Sequence, residues 1–190
     1  MRQYWCFEMG IKTKAPFRRR KAAAPTVFVV QQHAATHLHY DFRLEINGVM
    51  KSWAIPKGPS LNPSERRLAI LTKDHPMAYN RFEGVIPKGE YGAGTVIIWD
   101  RGRYRNLKKN AHKEPLSIES CFRKGTIEVH LNGKKMKGGF ALIRTSGKNW
   151  LLIKMNDRYA NTRKNLAQSE PYSVKSGKTL AQVKREKSHG

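Results

Sequence analysis

The stretch His33 to Arg43, HAATHLHYDFR, brings three histidines, an aspartate and an arginine together. From His37 to Ile46 polar and apolar residues alternate, with His37, His39, Asp41, Arg43 and Glu45 on one parity and Leu38, Tyr40, Phe42, Leu44 and Ile46 on the other. Alternation of period two predicts a half-buried β-strand whose apolar side faces the core. Residues i and i+2 of a strand point the same way roughly 7 Å apart, so His39 and Asp41 can reach one cation while Arg43 reaches an anion beside it. His33 lies six residues before His39. If the small segment Ala34, Ala35 and Thr36 turns the chain, the end of one strand brings His33 over the start of the next. Solvated strand faces also carry idle histidines. Here, however, four of the seven histidines are His33, His37, His39 and His75, and an Asp and an Arg share the face, which favours metal binding. His37 is left out of that role.

Several elements must position these groups. TVFVVQQ is β-branched and aromatic enough for a strand that delivers His33 at its end. Asn47-Gly48 is a type I′ hairpin signal, and VMKSWAI is the return strand. A two-residue loop pairs Ile46 with Val49, Arg43 with Ser52, Phe42 with Trp53, Asp41 with Ala54 and Tyr40 with Ile55. Small Ser52 and Ala54 then leave room beside Arg43 and Asp41. Pro56 ends the strand, with Lys57 at its mouth.

PKGPSLNPSE reads as a loop, and RRLAILTKDHP as a strand on which Arg67, Ala69, Leu71, Lys73 and His75 share parity. FEGVIPKGEYGAGTVIIWDRG places Gly84, Gly89, Gly92 and Gly94 before an apolar run. This fits neither a P-loop nor a dinucleotide fingerprint, and it predicts tight turns leading into a strand. Residues 103 to 117 read as a surface excursion, Asn132-Gly133 as a second hairpin, and NWLLIKM as a further strand. Thr179 with Gln182 could cap a short terminal helix. The expected class is mainly β, a closed or nearly closed barrel. The expected organisation is a basic arm over 1–25, the barrel domain over 26–160 and a basic polar tail over 161–190.

At 190 residues the chain is long enough for a real hydrophobic core. Thirty-seven Lys and Arg against fourteen Asp and Glu give a formal charge of +23, so the expected partner is a polyanion, with nucleic acid first. No apolar run approaches a membrane span, and the N-terminus lacks the apolar stretch of a secretory signal. Two distant cysteines, Cys6 and Cys121, fit no disulfide framework, which points to a reducing cytoplasm.

The segments FVVQQHAATHLHYDFRLEINGVMKSWAIPKGPS, RRLAILTKDHPMAY, FEGVIPKGEYGAGTVIIWDRG, GGFALIRT and NWLLIKMND, spanning about residues 26 to 160, together resemble the 3′-phosphoesterase domain of bacterial DNA ligase D and its stand-alone relatives. The resemblance implies a compact β-barrel with flanking helices and a manganese-dependent enzyme that trims DNA 3′ ends, removing a 3′-phosphate or a terminal ribonucleotide at a primer-template junction. Carried over by position, His33, His39 and Asp41 match the metal ligands, with Mn2+ expected, although the ligand types would also accept Zn2+, Co2+ or iron. Arg43 and His75 match the phosphate-contacting pair. Lys57, Arg67 and Tyr79 match further catalytic positions, and Gln31 and Ser52 match substrate-binding ones. The expected partners are DNA 3′ ends and a separate ligase, polymerase or end-binding protein, with no membrane and a monomeric state.

No Lys-x-Asp-Gly ligase motif occurs, so the expectation is a member acting apart from a ligase. The chain departs from the family at Ala34, usually Asp, at His37, often Arg, and at its N-terminus. There the family's Lys-Arg-Asp-Phe and Thr-Pro-Glu-Pro segment is not recognisable, which leaves open the balance of the two activities.

Two rival readings remain. His39-x-Asp41 with distal His75 resembles the triad of iron oxygenases, but apolar Val85 and Ile86 stand where an oxoacid-binding Arg would be required. A non-catalytic basic barrel that binds nucleic-acid ends would explain the charge, but not the His-His-Asp-Arg face.

Overall fold

The computed structural model describes residues 26–188, so the arm expected over 1–25 lies outside the described residues. The strands are β1 (Val27–Ala34), β2 (Leu38–Ile46), β3 (Val49–Ile55), β4 (Arg66–Leu71), β5 (His75–Pro76), β6 (Gly84–Ile86), β7 (Gly94–Asn106), β8 (Thr126–Asn132), β9 (Lys137–Ser146) and β10 (Asn149–Lys154). Strand neighbours run β1-β2-β3-β4-β10-β9-β8-β7, and β7 pairs back onto β1. Eight antiparallel strands thus form a closed barrel, with β5 added beside β3 and β6 beside β7.

The β2–β3 hairpin has the predicted register throughout, from Ile46 opposite Val49 to Tyr40 opposite Ile55. Asn47 (φ 53°) and Gly48 (φ 78°) supply the two positive φ angles of its turn. Parity then sorts the side chains. Phe28 and Val30 of β1, Phe42 and Leu44 of β2, Trp53 and Ile55 of β3, and Trp99 and Trp150 fill the lumen, each at most 1% exposed. Gln31, His33, Asp41, Arg43 and Ser52 occupy the opposite parity, on the outer wall. At the β1–β7 pairing the register slips between Val30 and Gln31, which face Asp100 and Ile98, so Trp99 is a bulge residue turned into the core.

Two expectations are corrected. RRLAILTKDHP is not one strand in a single register: β4 ends at Leu71, Thr72 still donates its N–H to the Ser52 carbonyl in line with the Trp53–Leu71 pairing, and the register against β3 then slips by one residue across Lys73 and Asp74. The chain resumes as β5, where His75 faces Met50. Arg67 therefore keeps the parity of lumen-facing Ala69, whereas His75 joins the outer wall. Asn132-Gly133 is not a two-residue turn either, since Asn132 pairs with Lys137. The loop between them wraps the buried Asp100 carboxylate, which accepts from the Lys134 and Met136 N–H groups at 2.9 and 2.7 Å.

Three short helices flank the barrel: α1 (Ile118–Lys124), α2 (Leu166–Ser169) and α3 (Leu180–Ser188). Ser117 caps α1 by accepting from the Ser120 N–H, and Gly125 closes it in the left-handed conformation. Thr179 and Gln182 form the reciprocal cap of α3, as the sequence suggested. Residues 161–188 lie against the barrel: Leu166 enters the core, and Val174 packs on an outer apolar cluster of Val29, Met50 and Ile98. No helix among the described residues is long and apolar enough to cross a membrane.

Candidate active site

The pairing of β1 with β2 sets His33 directly opposite His39 and Gln31 opposite Asp41, with residues 35–37 as the turn. His33 Nδ1 lies 3.6 Å and His39 Nε2 3.7 Å from the two Asp41 oxygens. The other nitrogen of each ring meets a backbone carbonyl at 2.9 Å: His33 Nε2 meets Gly92, and His39 Nδ1 meets His37. A carbonyl only accepts, so those nitrogens carry the protons and the rings turn lone pairs towards Asp41. Two lone pairs and a carboxylate converging in this way need positive charge between them, either a proton or a cation. One donor atom from each residue lies within 4.8 Å of the others, and these three form the candidate metal-binding group found among the described residues. Two nitrogens and one carboxylate suit a divalent transition metal and leave coordination positions open.

Beside this trio, Arg43 is 3% exposed and heavily engaged. Its Nε donates to Gln31 Oε1 (2.8 Å), Nη1 to Ser52 Oγ (2.7 Å) and to His75 Nδ1 (2.8 Å), and Nη2 to Asp41 (3.0 Å). Four of the five guanidinium donors are thereby used, leaving one Nη2 hydrogen for a ligand. Because Arg43 only donates, His75 accepts at Nδ1 and carries its proton on Nε2. Burial and the Arg43 charge push the His75 pKa below its ordinary value, against the weaker pull of Asp41, so the ring is held neutral. Burial alone would raise the Asp41 carboxyl, but a proton shared with His33 Nδ1 in place of a cation, and the Arg43 charge, outweigh it and hold the pKa down.

Gln31 and Ser52, expected to touch substrate, are fully buried. Gln31 Nε2 donates to the carbonyls of Tyr79 (3.1 Å) and Phe82 (2.9 Å), and Ser52 Oγ to that of Met50 (3.0 Å). Their polar atoms hold Arg43 and the 77–82 turn in place. Tyr79 sets its ring against His75, with centroids 4.8 Å apart and the planes tilted by 52°, and Arg43 lies 5.6 Å over it. A cavity of about 240 Å³ collects Gln31, His33, His39, Asp41, Arg43, His75 and Tyr79. Lys57 and Arg67 are not brought to it. They line a separate depression with Glu65, and Arg67 is paired to that carboxylate.

The sequence model of the DNA ligase D 3′-phosphoesterase domain matches residues 31–144, more than half of the chain and all of this cavity's lining. The chain belongs to that family. Among curated relatives of the 3′-phosphoesterase family, the multifunctional non-homologous end joining protein LigD of Pseudomonas aeruginosa is 46% identical over 159 residues, which is 80% of this chain and 18% of that protein. The Mycolicibacterium smegmatis and Mycobacterium tuberculosis LigD proteins are each 48% identical over 131 residues, 69% of this chain and 17% and 16% of theirs. The chain thus spans less than a fifth of the length of these relatives.

Some residues of this cavity were not foreseen. Thr72, Ile86, Tyr91 and Val96 also line the cavity. Tyr91 and the Gly92 carbonyl belong to the glycine-rich segment EYGAG, whose residue types signalled turns but not the direction in which those turns point.

Proposed function

We propose that the chain is a divalent-metal-dependent phosphoesterase that processes DNA 3′ ends, releasing a 3′-phosphate or a 3′-terminal ribonucleotide so that a ligase or polymerase can use the end. Family membership supports hydrolysis of a phosphoester and a role in end joining. The observation that carries the reading is the convergence of His33 Nδ1, His39 Nε2 and Asp41, each ring fixed through its other nitrogen, beside a buried arginine. A bound ion, with Mn2+ the family's expectation and Zn2+ or Co2+ compatible with the same donors, would polarise the phosphorus centre and activate water.

The protein's own groups divide the remaining work. Arg43 supplies a fixed positive charge and one free N–H to a phosphoryl oxygen. His75, neutral and protonated on Nε2, can donate that hydrogen towards the leaving oxygen. Tyr79 walls the pair and limits where the phosphoryl group can sit. The formal charge of +23 favours a polyanionic substrate.

The test is release of phosphate from a primer-template ending in 3′-phosphate, with and without manganese. Metal-dependent release that falls about 100-fold or more in His39→Ala is expected. Tight binding without turnover under any divalent ion would instead mark a non-catalytic end-binding module.

A further inference from the structure

We propose that Tyr91 is a stacking platform for the base of the 3′-terminal nucleotide; the inference rests on the reading of the cavity as a DNA-end phosphoesterase site. Tyr91 is 72% exposed, the most exposed of the large apolar side chains among the described residues, yet it lines the cavity that holds His33, His39 and Asp41. A lone exposed tyrosine is ordinary on a protein surface. This one is held in place.

The backbone is closed into two consecutive turns, with the Glu90 N–H donating to the Pro87 carbonyl at 3.2 Å and the Ala93 N–H to the Glu90 carbonyl at 3.0 Å. The next residue, Gly92, accepts the His33 Nε2 hydrogen, so the loop that carries Tyr91 is tied to a metal-ligand candidate. Two residues further on, Gly94 lies so close to β1 that a Cβ there would sit 2.3 Å from the Ala34 carbonyl oxygen. On the ring itself, the Lys73 ammonium stands 5.2 Å from the centroid.

Size assigns the ligand class. At about 240 Å³ the cavity is smaller than the roughly 300 Å³ at which pockets for whole organic ligands begin, so it takes the phosphate and sugar and leaves the base at the mouth. The exposed aromatic face there is Tyr91, since Tyr79 is half-buried against the His75 ring. Stacking on such a face is tolerant of base identity, which suits an enzyme that must accept any terminus.

The experiment compares binding, by fluorescence anisotropy without metal, of two primer-templates ending in 3′-phosphate, one with a normal terminal nucleotide and one with an abasic sugar. The unsubstituted protein and Tyr91→Phe should both prefer the base-bearing end by roughly 5- to 100-fold, and Tyr91→Ala should lose the preference while binding the abasic end as the unsubstituted protein does. Preference that survives in Tyr91→Ala, or that is absent from the unsubstituted protein, overturns the platform. Loss in Tyr91→Phe equal to that in Tyr91→Ala also overturns it, in favour of a hydroxyl contact. Manganese-dependent phosphate release by a protein without the preference would leave the proposed function standing alone, whereas the preference without release would sink that function and keep the platform.

Discussion

Arg43 has one donor left to offer, and that fixes what substitutions at the centre of the site should do. Arg43→Lys keeps the charge but cannot span Gln31, Ser52, His75 and Asp41 at once. A fall in kcat of about 100- to 1000-fold is expected in single-turnover phosphate release, the loss typical of a removed charge-stabilising donor. Gln31→Leu leaves Arg43 Nε and the Tyr79 and Phe82 carbonyls without their partner, so a loss of about 1–3 kcal/mol should appear in denaturant unfolding.

His75 sets a pH dependence. Its folded pKa is depressed below 6.5, so the unfolded chain takes up the proton first as pH falls. The stability it contributes is present above the ordinary imidazole value and is lost as pH drops through the lower folded value. Phosphate release should fall in that same acid range, because a proton on Nδ1 would face the Arg43 N–H. His75→Asn should remove this acid limb from the rate profile. At this scale His39, Asp41 and Arg43 were legible in the sequence, since strand parity alone puts them on one face. The hydrogen bonds by which Gln31 and Ser52 hold Arg43 were not, because they depend on three-dimensional pairing that no local pattern shows.

Among elements, the hairpin of β2 and β3 was readable down to its register, because Asn-Gly specifies the turn and alternation specifies the faces. The passage from β4 to β5 was not. Its one-residue slip lies across Lys73 and Asp74, between Thr72, still bonded to the Ser52 carbonyl, and His75, which faces Met50, and it shows only against β3 rather than in the local sequence. The same slip separates His75 from the parity of Arg67 and brings only the former to the cavity. A second long-range device holds the wall of the site. The Glu83 carboxylate accepts from the Ile98 N–H of β7 at 2.8 Å and from the Ser173 hydroxyl, and Lys175 Nζ reaches the Arg81 carbonyl at 3.1 Å. The segment after residue 161 thereby fastens the Tyr79 turn to the sheet. Glu83→Ala should cost about 1–3 kcal/mol in thermal or denaturant unfolding. It should also lower kcat several-fold with KM for DNA unchanged, since Tyr79 loses its backing while the substrate-facing groups remain. An unchanged kcat in a destabilised protein would confine Glu83 to folding.

At the level of the whole molecule, the closed barrel decides where chemistry can occur. Its lumen is filled by Trp53, Trp99, Trp150, Phe28, Phe42 and Phe140, all at most 1% exposed, as expected when eight strands leave an interior just wide enough for side chains. A ligand is therefore met on the outer wall, where β1, β2, β3 and β7 carry the opposite parity and the β5 and 77–93 segments build the rim. If its substrate is a nucleic-acid end, as proposed, a small site on the outer wall draws much of its affinity from the backbone of the substrate rather than from enclosure. The charge of +23 supplies that attraction. If the chain engages about six phosphates of a duplex end, log Kobs should fall against log salt with a slope of about −5, a loss on the order of 1000-fold between 50 and 200 mM. If the trio and Arg43 touch only the terminal phosphoryl group, as proposed, Arg43→Lys should leave that slope within about one unit of the unsubstituted protein's. Anisotropy titrations of a primer-template across this salt range measure both. A flat response would mean that the basic surface does not lie along the DNA and that affinity resides in the cavity itself.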